Sequence, residues 1–183
     1  ADGSVLANVS FLNIGPNRTT ETDLPMRDNS EAVRVIGSFN SESKFIDART
    51  GRETSVLLTA GRGYFVVGLV GVGQEPTDHA LKDIAAKAAE LEQWGRSIIL
   101  LFPDETAYAK YAASPAASLP QTVTFGIDRD GSVRRRILEA MQLPGNVSLP
   151  VFLIGDTFNR VVFESHGYTI GLGDRLLHTI HQL

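Results

Sequence analysis

From residue 63 onward, apolar runs alternate with segments whose apolar positions recur every three or four residues. Such runs are typical of buried strands, and the longer spacing is typical of amphipathic helices. Strands joined by helices predict a mostly parallel sheet with helices on both faces. The predicted strands are GYFVVGLVGV, RSIILLF, TVTFGID, PVFLIGD and NRVVFES, and the predicted helices lie near 77–94, 104–113, 132–142 and 172–181.

Two parts of the pattern depart from strand–helix alternation. Only TFN separates PVFLIGD from RVVFES. Because this connection is too short for a crossover, it predicts an antiparallel hairpin at the edge of the sheet. Before residue 63, AVRVIGSF, KFID and SVLL are predicted as short strands and RTGRE as a turn. The fold class is therefore α/β.

The first thirty residues form a separate pattern. Residues 4–14, SVLANVSFLNI, alternate like a strand, and a polar, turn-rich stretch follows them. A single strand cannot form a sheet, so it needs partners in the main domain or in sequence outside this chain. We predict a β segment over residues 1–30 and a main domain over residues 31–183.

Composition narrows the possible partners. The chain has 183 residues and a formal net charge of −4, which gives no general attraction to nucleic acid or to anionic lipid. It lacks the run of roughly 20 apolar residues that a membrane span requires. It also contains no cysteine, which excludes disulfides, thiolate metal sites and cysteine nucleophiles within this chain.

The corner GVGQEPTD, between a predicted strand and a predicted helix, resembles a phosphate-binding turn only in part. Gly71 and Gly73 are not followed by the third glycine of a dinucleotide site, and the Gly-Lys-Ser/Thr of a P-loop is missing. Glu75 and Asp78 would repel a phosphate, whereas both favour the start of a helix, as does Pro76. We therefore exclude a phosphate site at this corner.

The order of these elements resembles the thioredoxin fold from about Val33 to the end of the chain. The stretch TVTFGIDRDGSVRRRILEAM resembles the insertion of peroxiredoxins and of extracytoplasmic thiol oxidoreductases. In that family the corner reads Cys-x-Pro-Cys, and here it reads Gln74-Glu75-Pro76-Thr77. Pro150, in SLPVFLIGD, matches the family's cis proline, which faces the cysteine pair. The resemblance implies the peroxiredoxin-like variant of the fold, preceded by a short β segment.

The resemblance also bears on function. Thiol exchange requires a thiolate, which neither Gln74 nor Thr77 can supply. We therefore expect a redox-inactive domain that is not an enzyme and needs no cofactor. It either binds a peptide or protein partner in the groove beside the late proline, or is a structural remnant that supports its neighbours. The candidate binding residues are Gln74, Glu75, Pro76, Thr77, His79 and Pro150.

A narrower resemblance concerns the protein of which this chain is a part. GRGYFVVG, QEPTDHALKDIAA, LEQWGRSIILLFPD and GYTIGLGDRL are similar to the C-terminal part of secreted transglutaminase-like proteins of gut Bacteroidales. The resemblance implies an upstream immunoglobulin-like sandwich, closed by residues 1–30, and an extracytoplasmic location. The upstream domains would then be partners. The catalytic Cys, His and Asp of that family lie upstream, and none maps onto this chain.

An enzyme that uses a metal or a small ligand is the alternative. His79 and Asp83 are four residues apart on a predicted helix, and Glu75, Asp78 and Glu164 would meet near the corner if the thioredoxin alignment holds. A histidine in a solvated first turn is the simpler interpretation of His79. The DRDG sequence at 128–131 resembles the start of a calcium loop, but it lacks the later glutamate and is better explained as a turn.

Overall fold

The computed structural model describes residues 33–115 and 118–183; the predicted β segment over 1–30 lies outside these residues. Within the described residues, eight strands form one sheet. They are β1 Gly37–Ser38, β2 Lys44–Asp47, β3 Glu53–Ser55, β4 Tyr64–Leu69, β5 Ile98–Phe102, β6 Val123–Ile127, β7 Val151–Asp156 and β8 Arg160–His166. The helices are α1 Val56–Ala60, α2 Glu75–Ala86, α3 Ala88–Trp94, α4 Glu105–Ala113, α5 Ser132–Ala140 and α6 Leu172–Ile180.

The strand order is β1-β8-β7-β4-β5-β6-β2-β3. The central strands β4, β5 and β6 are parallel to one another. The remaining pairs are antiparallel, including β7 with β4. The prediction of a mostly parallel sheet is therefore wrong outside the centre. The segment 141–150 follows α5 and brings the chain back to the end of the sheet at which β4 finishes. Strand β7 therefore starts opposite the last residue of β4 and runs antiparallel to it. The predicted hairpin of β7 and β8 is confirmed.

Both faces of the central strands are covered, which explains their continuous apolar sequences. Along β4, Val66 belongs to a core shared with α2, α3 and α6, whereas Phe65 and Val67 belong to a core shared with α1 and α5. This alternation follows from the two-residue period of a strand. None of the helices in the described part of the chain has both the length and the apolar character needed to cross a bilayer.

Three predicted elements differ from the structure. The predicted helix 77–94 is two helices that meet at Lys87, whose φ of −110° and ψ of 21° interrupt the helical backbone. Of SVLL, only Ser55 belongs to a strand, at the end of β3; the rest lies in α1, which Ser55 caps by accepting a hydrogen bond at Oγ from the N–H of Leu58, at 3.1 Å. Of the described part of AVRVIGSF, residues 33–39, only Gly37–Ser38 forms a strand.

Close packing joins β4 to β7. Gly68 lies directly opposite Phe152 in the antiparallel register, and a Cβ atom at Gly68 would overlap the Phe152 ring. Glycine is therefore the residue that lets this buried ring lie against β4. The same pairing continues to Leu69 and Val151, which brings the end of β4 to the start of β7.

Candidate functional site

The corner after β4 and the proline before β7 lie side by side at one edge of the sheet. Leu69 pairs with Val151, and Val70 and Pro150 are the next residues on each side of this pair. The Leu149–Pro150 peptide bond is cis, which confirms the prediction for this proline.

The loop 167–171, between β8 and α6, completes the site. The N–H of Gly167 donates to the carbonyl oxygen of Pro150 at 2.9 Å. Tyr168 stacks on His79 in the first half of α2, with ring centroids 4.7 Å apart and planes 17° apart. We refer to the surface formed by the corner 71–79, residues 149–150 and the loop 167–171 as the Pro150 groove.

The corner itself is closed by a buried hydroxyl. Thr77 is only 2% exposed, and its Oγ1 accepts a hydrogen bond from the N–H of Gly71 at 3.0 Å. Gln74 is exposed at the N-terminal end of α2, and its side-chain amide lies against Gly71. Pro76 lies in the first turn of α2, one residue after the predicted first helical position, because the helix begins at Glu75. Thr77 is therefore buried within the corner, whereas Gln74 is accessible.

His79 and Asp83 are close together, as their spacing predicts, but no hydrogen bond joins them, and Nε2 of His79 is buried rather than solvated. Nε2 of His79 lies 3.6 Å from Oδ2 of Asp83. The same Asp83 oxygen accepts a hydrogen bond from the N–H of Leu172 at 3.0 Å, at the start of α6. Among residues 33–115 and 118–183, no three His, Asp or Glu side chains are grouped so that they could hold a metal ion.

Glu164 does not join the acidic residues of α2. It lies opposite Leu153, whose side chain packs with α5, and its Oε2 lies 2.7 Å from Nδ1 of His166. Glu75 and Asp78 are exposed in the first turn of α2, on the other side of the sheet. The predicted gathering of three carboxylates near the corner is therefore not formed.

The groove combines exposed apolar side chains with charges. Tyr168 is 54% exposed and Ile170 is 80% exposed, so the loop presents two large apolar groups to solvent. Glu75 and Asp78 interact favourably with the positive end of the α2 dipole. Lys110 of α4 comes close to Gly73, with its Nζ 3.3 Å from the position that a Cβ would take.

A cavity of about 310 Å³ lies beside Leu149, and no motif in the sequence indicated it. We call it the Leu149 cavity. It opens at the carboxyl ends of parallel strands, where ligands bind in open α/β sheets, so strand order is the signal that could have located it. It is lined by Leu69, Val70, Leu101, Phe102, Pro103, Asp128, Arg129, Asp130, Gly131, Arg134 and Leu149.

Asp128, in the wall of this cavity, caps α5. It is 5% exposed, its Oδ1 accepts from the N–H of Val133 at 3.0 Å, and its Oδ2 accepts from the N–H of Arg134 at 2.9 Å. Residues 128–131 form a turn, as predicted. The turn also places Asp128 so that it caps α5, which its sequence alone did not reveal. Nearby, Arg129 forms an ion pair with Glu105, and this contact holds the pKa of the Glu105 carboxyl below its usual value.

No protein-family model and no curated protein matches the sequence. Solved structures match with probability 1.00. A putative thiol:disulfide interchange protein DsbE from Chlorobium tepidum has a TM-score of 0.58 and 16% identity, over 79% of this chain and 95% of that chain. Peroxidoxin BcpB from Mycobacterium tuberculosis has a TM-score of 0.63 and 14% identity, over 81% and 97%. The fold is thioredoxin-like.

A third thioredoxin-like match has no assigned role. The conserved protein BF1870 of unknown function from Bacteroides fragilis has a TM-score of 0.54 and 16% identity, over 76% of this chain and 96% of that chain. Identities at this level establish the fold alone. The sequence resemblance described above aligns Gln74 and Thr77 with the two cysteines of that family's corner, and this alignment stays a prediction.

Proposed function

We propose that this thioredoxin-like domain binds an extended segment of a protein partner in the Pro150 groove, without redox chemistry. The observation that carries the proposal is the loop 167–171. It holds Tyr168 and Ile170 exposed to solvent beside Pro150, while its first residue is hydrogen-bonded to the proline carbonyl. Exposed apolar groups beside a concave backbone edge are a common form of peptide-binding surface.

The absence of cysteine supports binding rather than thiol–disulfide exchange by this chain. Disulfide exchange requires a thiolate that attacks a disulfide sulfur, and the chain has no cysteine. Backbone hydrogen bonds to an extended peptide need no sulfur. The alternative, a metal-dependent enzyme, has less support, because the described residues offer neither a three-ligand group nor the predicted carboxylate cluster.

We further propose that the domain is an accessory part of an exported transglutaminase-like protein, where it engages a partner or supports neighbouring domains. The support is the sequence resemblance from GRGYFVVG to GYTIGLGDRL. The test is the reading frame upstream of Ala1. It should encode a transglutaminase core with Cys, His and Asp, and an export signal; a frame with neither would overturn this part of the proposal.

Peptide binding is tested with fluorescein-labelled, randomised capped peptides of about nine residues, using fluorescence polarisation on the full chain. We expect Ile170→Ser to weaken binding about fivefold, as is typical of an exposed contact residue. The matched control is Leu58→Ser, because Leu58 is 78% exposed on α1, outside the groove. Equal binding by the two variants, or no binding by the wild-type chain, would contradict the proposal.

A further inference from the structure

The Leu149 cavity and the Pro150 groove share Leu149. This residue lines the cavity and is joined directly to Pro150. Val70 also lines the cavity, and the β4–β7 register places it next to Pro150. An extended segment that pairs with the backbone around Leu149 therefore passes the mouth of the cavity.

The interior of the cavity favours an apolar group. Its floor is formed by Leu69, Val70, Leu101 and Phe102, which are all buried. The carboxylate of Asp128 is already engaged at both oxygens by backbone amides of α5. The other charged side chains of the lining also have partners: Arg129 is paired with Glu105, Arg134 donates to the carbonyl oxygen of Gly145, and Asp130 accepts from the N–H of Ser132. A polar ligand would therefore lose its hydration and have to compete with these contacts.

The cavity is large enough for one large apolar side chain. Its volume is about 310 Å³, at the lower end of the roughly 300–1,000 Å³ of small-molecule sites. Alternate side chains of an extended peptide point in opposite directions, so a single residue of a bound segment can enter a pocket beside the groove.

The charges on the other side of the groove constrain the same segment. Glu75 and Asp78 are exposed in the first turn of α2, and Lys110 is the nearby cation identified above. Two carboxylates against one ammonium leave this end of the groove negative, so a basic side chain of the partner is complementary to it.

We propose that the Leu149 cavity receives one large apolar side chain, of leucine, methionine or phenylalanine, from the segment bound in the Pro150 groove. A lysine or arginine of the same segment lies on the α2 side, against Glu75 and Asp78. This inference rests on the proposed function, and it specifies the chemistry of the partner.

The experiment uses sets of capped, labelled peptides of about nine residues with a fixed central residue and randomised flanks. The fixed residue is Leu, Met, Phe, Ala or Asp, and binding to the full chain is measured by fluorescence polarisation. We expect the Leu, Met and Phe sets to bind at least about tenfold more tightly than the Ala and Asp sets, because they bury several more carbon atoms.

Two substitutions at Leu149 change the cavity in opposite directions. Leu149→Trp fills the mouth and should abolish the preference for Leu over Ala, whereas Leu149→Ala enlarges the cavity and should shift the preference toward Phe. Leu58→Trp is the control for adding an exposed indole elsewhere, and circular dichroism checks that each variant is folded. In the double variant Glu75→Gln/Asp78→Asn, peptides with Lys or Arg flanks should lose their advantage over neutral ones.

The outcomes separate the inference from the proposed function. If all five sets bind equally well and neither Leu149 variant changes the ranking, peptide binding stands and the cavity assignment is wrong. If no set binds to the wild-type chain, both are wrong. If the Leu, Met and Phe sets bind preferentially but Leu58→Trp removes the preference as effectively as Leu149→Trp, the apolar side chain lies elsewhere and the assignment fails.

Discussion

Replacing Gly68 with alanine tests the close packing that joins β4 to β7 and thereby holds the corner beside Pro150. The added Cβ would overlap the ring of Phe152, which is fully buried opposite Gly68. Overpacking of this kind costs about 1–3 kcal/mol. Alanine also lowers the conformational entropy of the unfolded chain relative to glycine, which stabilises the folded state by about 0.5–1 kcal/mol. The expected net loss is therefore about 1–2 kcal/mol.

In a chain of this length, that loss lowers Tm by roughly 2–8 °C. Urea unfolding can be followed by the fluorescence of Trp94, the only tryptophan in the sequence, which is partly buried against the core. Gly145→Ala is the matched control, because a Cβ there meets nothing within 4 Å. Phe152→Leu should relieve the overlap, so the double variant should lose less than the sum of the two single losses. Additive losses, or a Gly68→Ala variant as stable as the wild type, would refute the packing argument.

Three further experiments test the corner and the cap of α5. Thr77→Val leaves the buried N–H of Gly71 without its acceptor and should cost about 1–3 kcal/mol of unfolding free energy, whereas Thr77→Ser should retain most of the stability; equal urea midpoints would contradict this. Asp128→Ala removes two hydrogen bonds at the start of α5 and should cost about 2–4 kcal/mol, with Asp128→Asn in between, as measured by thermal and urea unfolding. Cysteines introduced together at Gln74 and Thr77 should oxidise to an intramolecular disulfide, as followed by thiol titration, and a pair that stays reduced under oxidising conditions would show that the corner is misplaced.

The order and type of the central elements could be predicted because their sequences have strong periods. GYFVVGL and RSIILLF are continuous apolar runs, and α2 has both an apolar stripe and the Pro76 start signal. The position of Pro150 next to the corner followed from the family resemblance. Each of these features is encoded within a short stretch of sequence, or in a motif that a family shares.

The features that could not be predicted depend on residues far apart in the chain or on one local cap. The direction of β7 is set by the segment 141–150, whose sequence has no clear period. Helix α1 forms because Ser55 provides a cap, although SVLL alone favours a strand. The Leu149 cavity is built from residues 69–70, 101–103, 128–134 and 149, so no single stretch of sequence reveals it.

Two contacts tie the walls of the groove together on one side. Tyr168 stacks on His79, and the start of α6 at Leu172 is hydrogen-bonded to Asp83, so the loop 167–171 is attached to α2 near both of its ends. The loop is also hydrogen-bonded to Pro150 through the N–H of Gly167, so α2, the loop 167–171 and Pro150 form one connected frame. If the groove binds a partner as proposed, this frame offers the partner a preformed surface, and binding requires little rearrangement of the backbone.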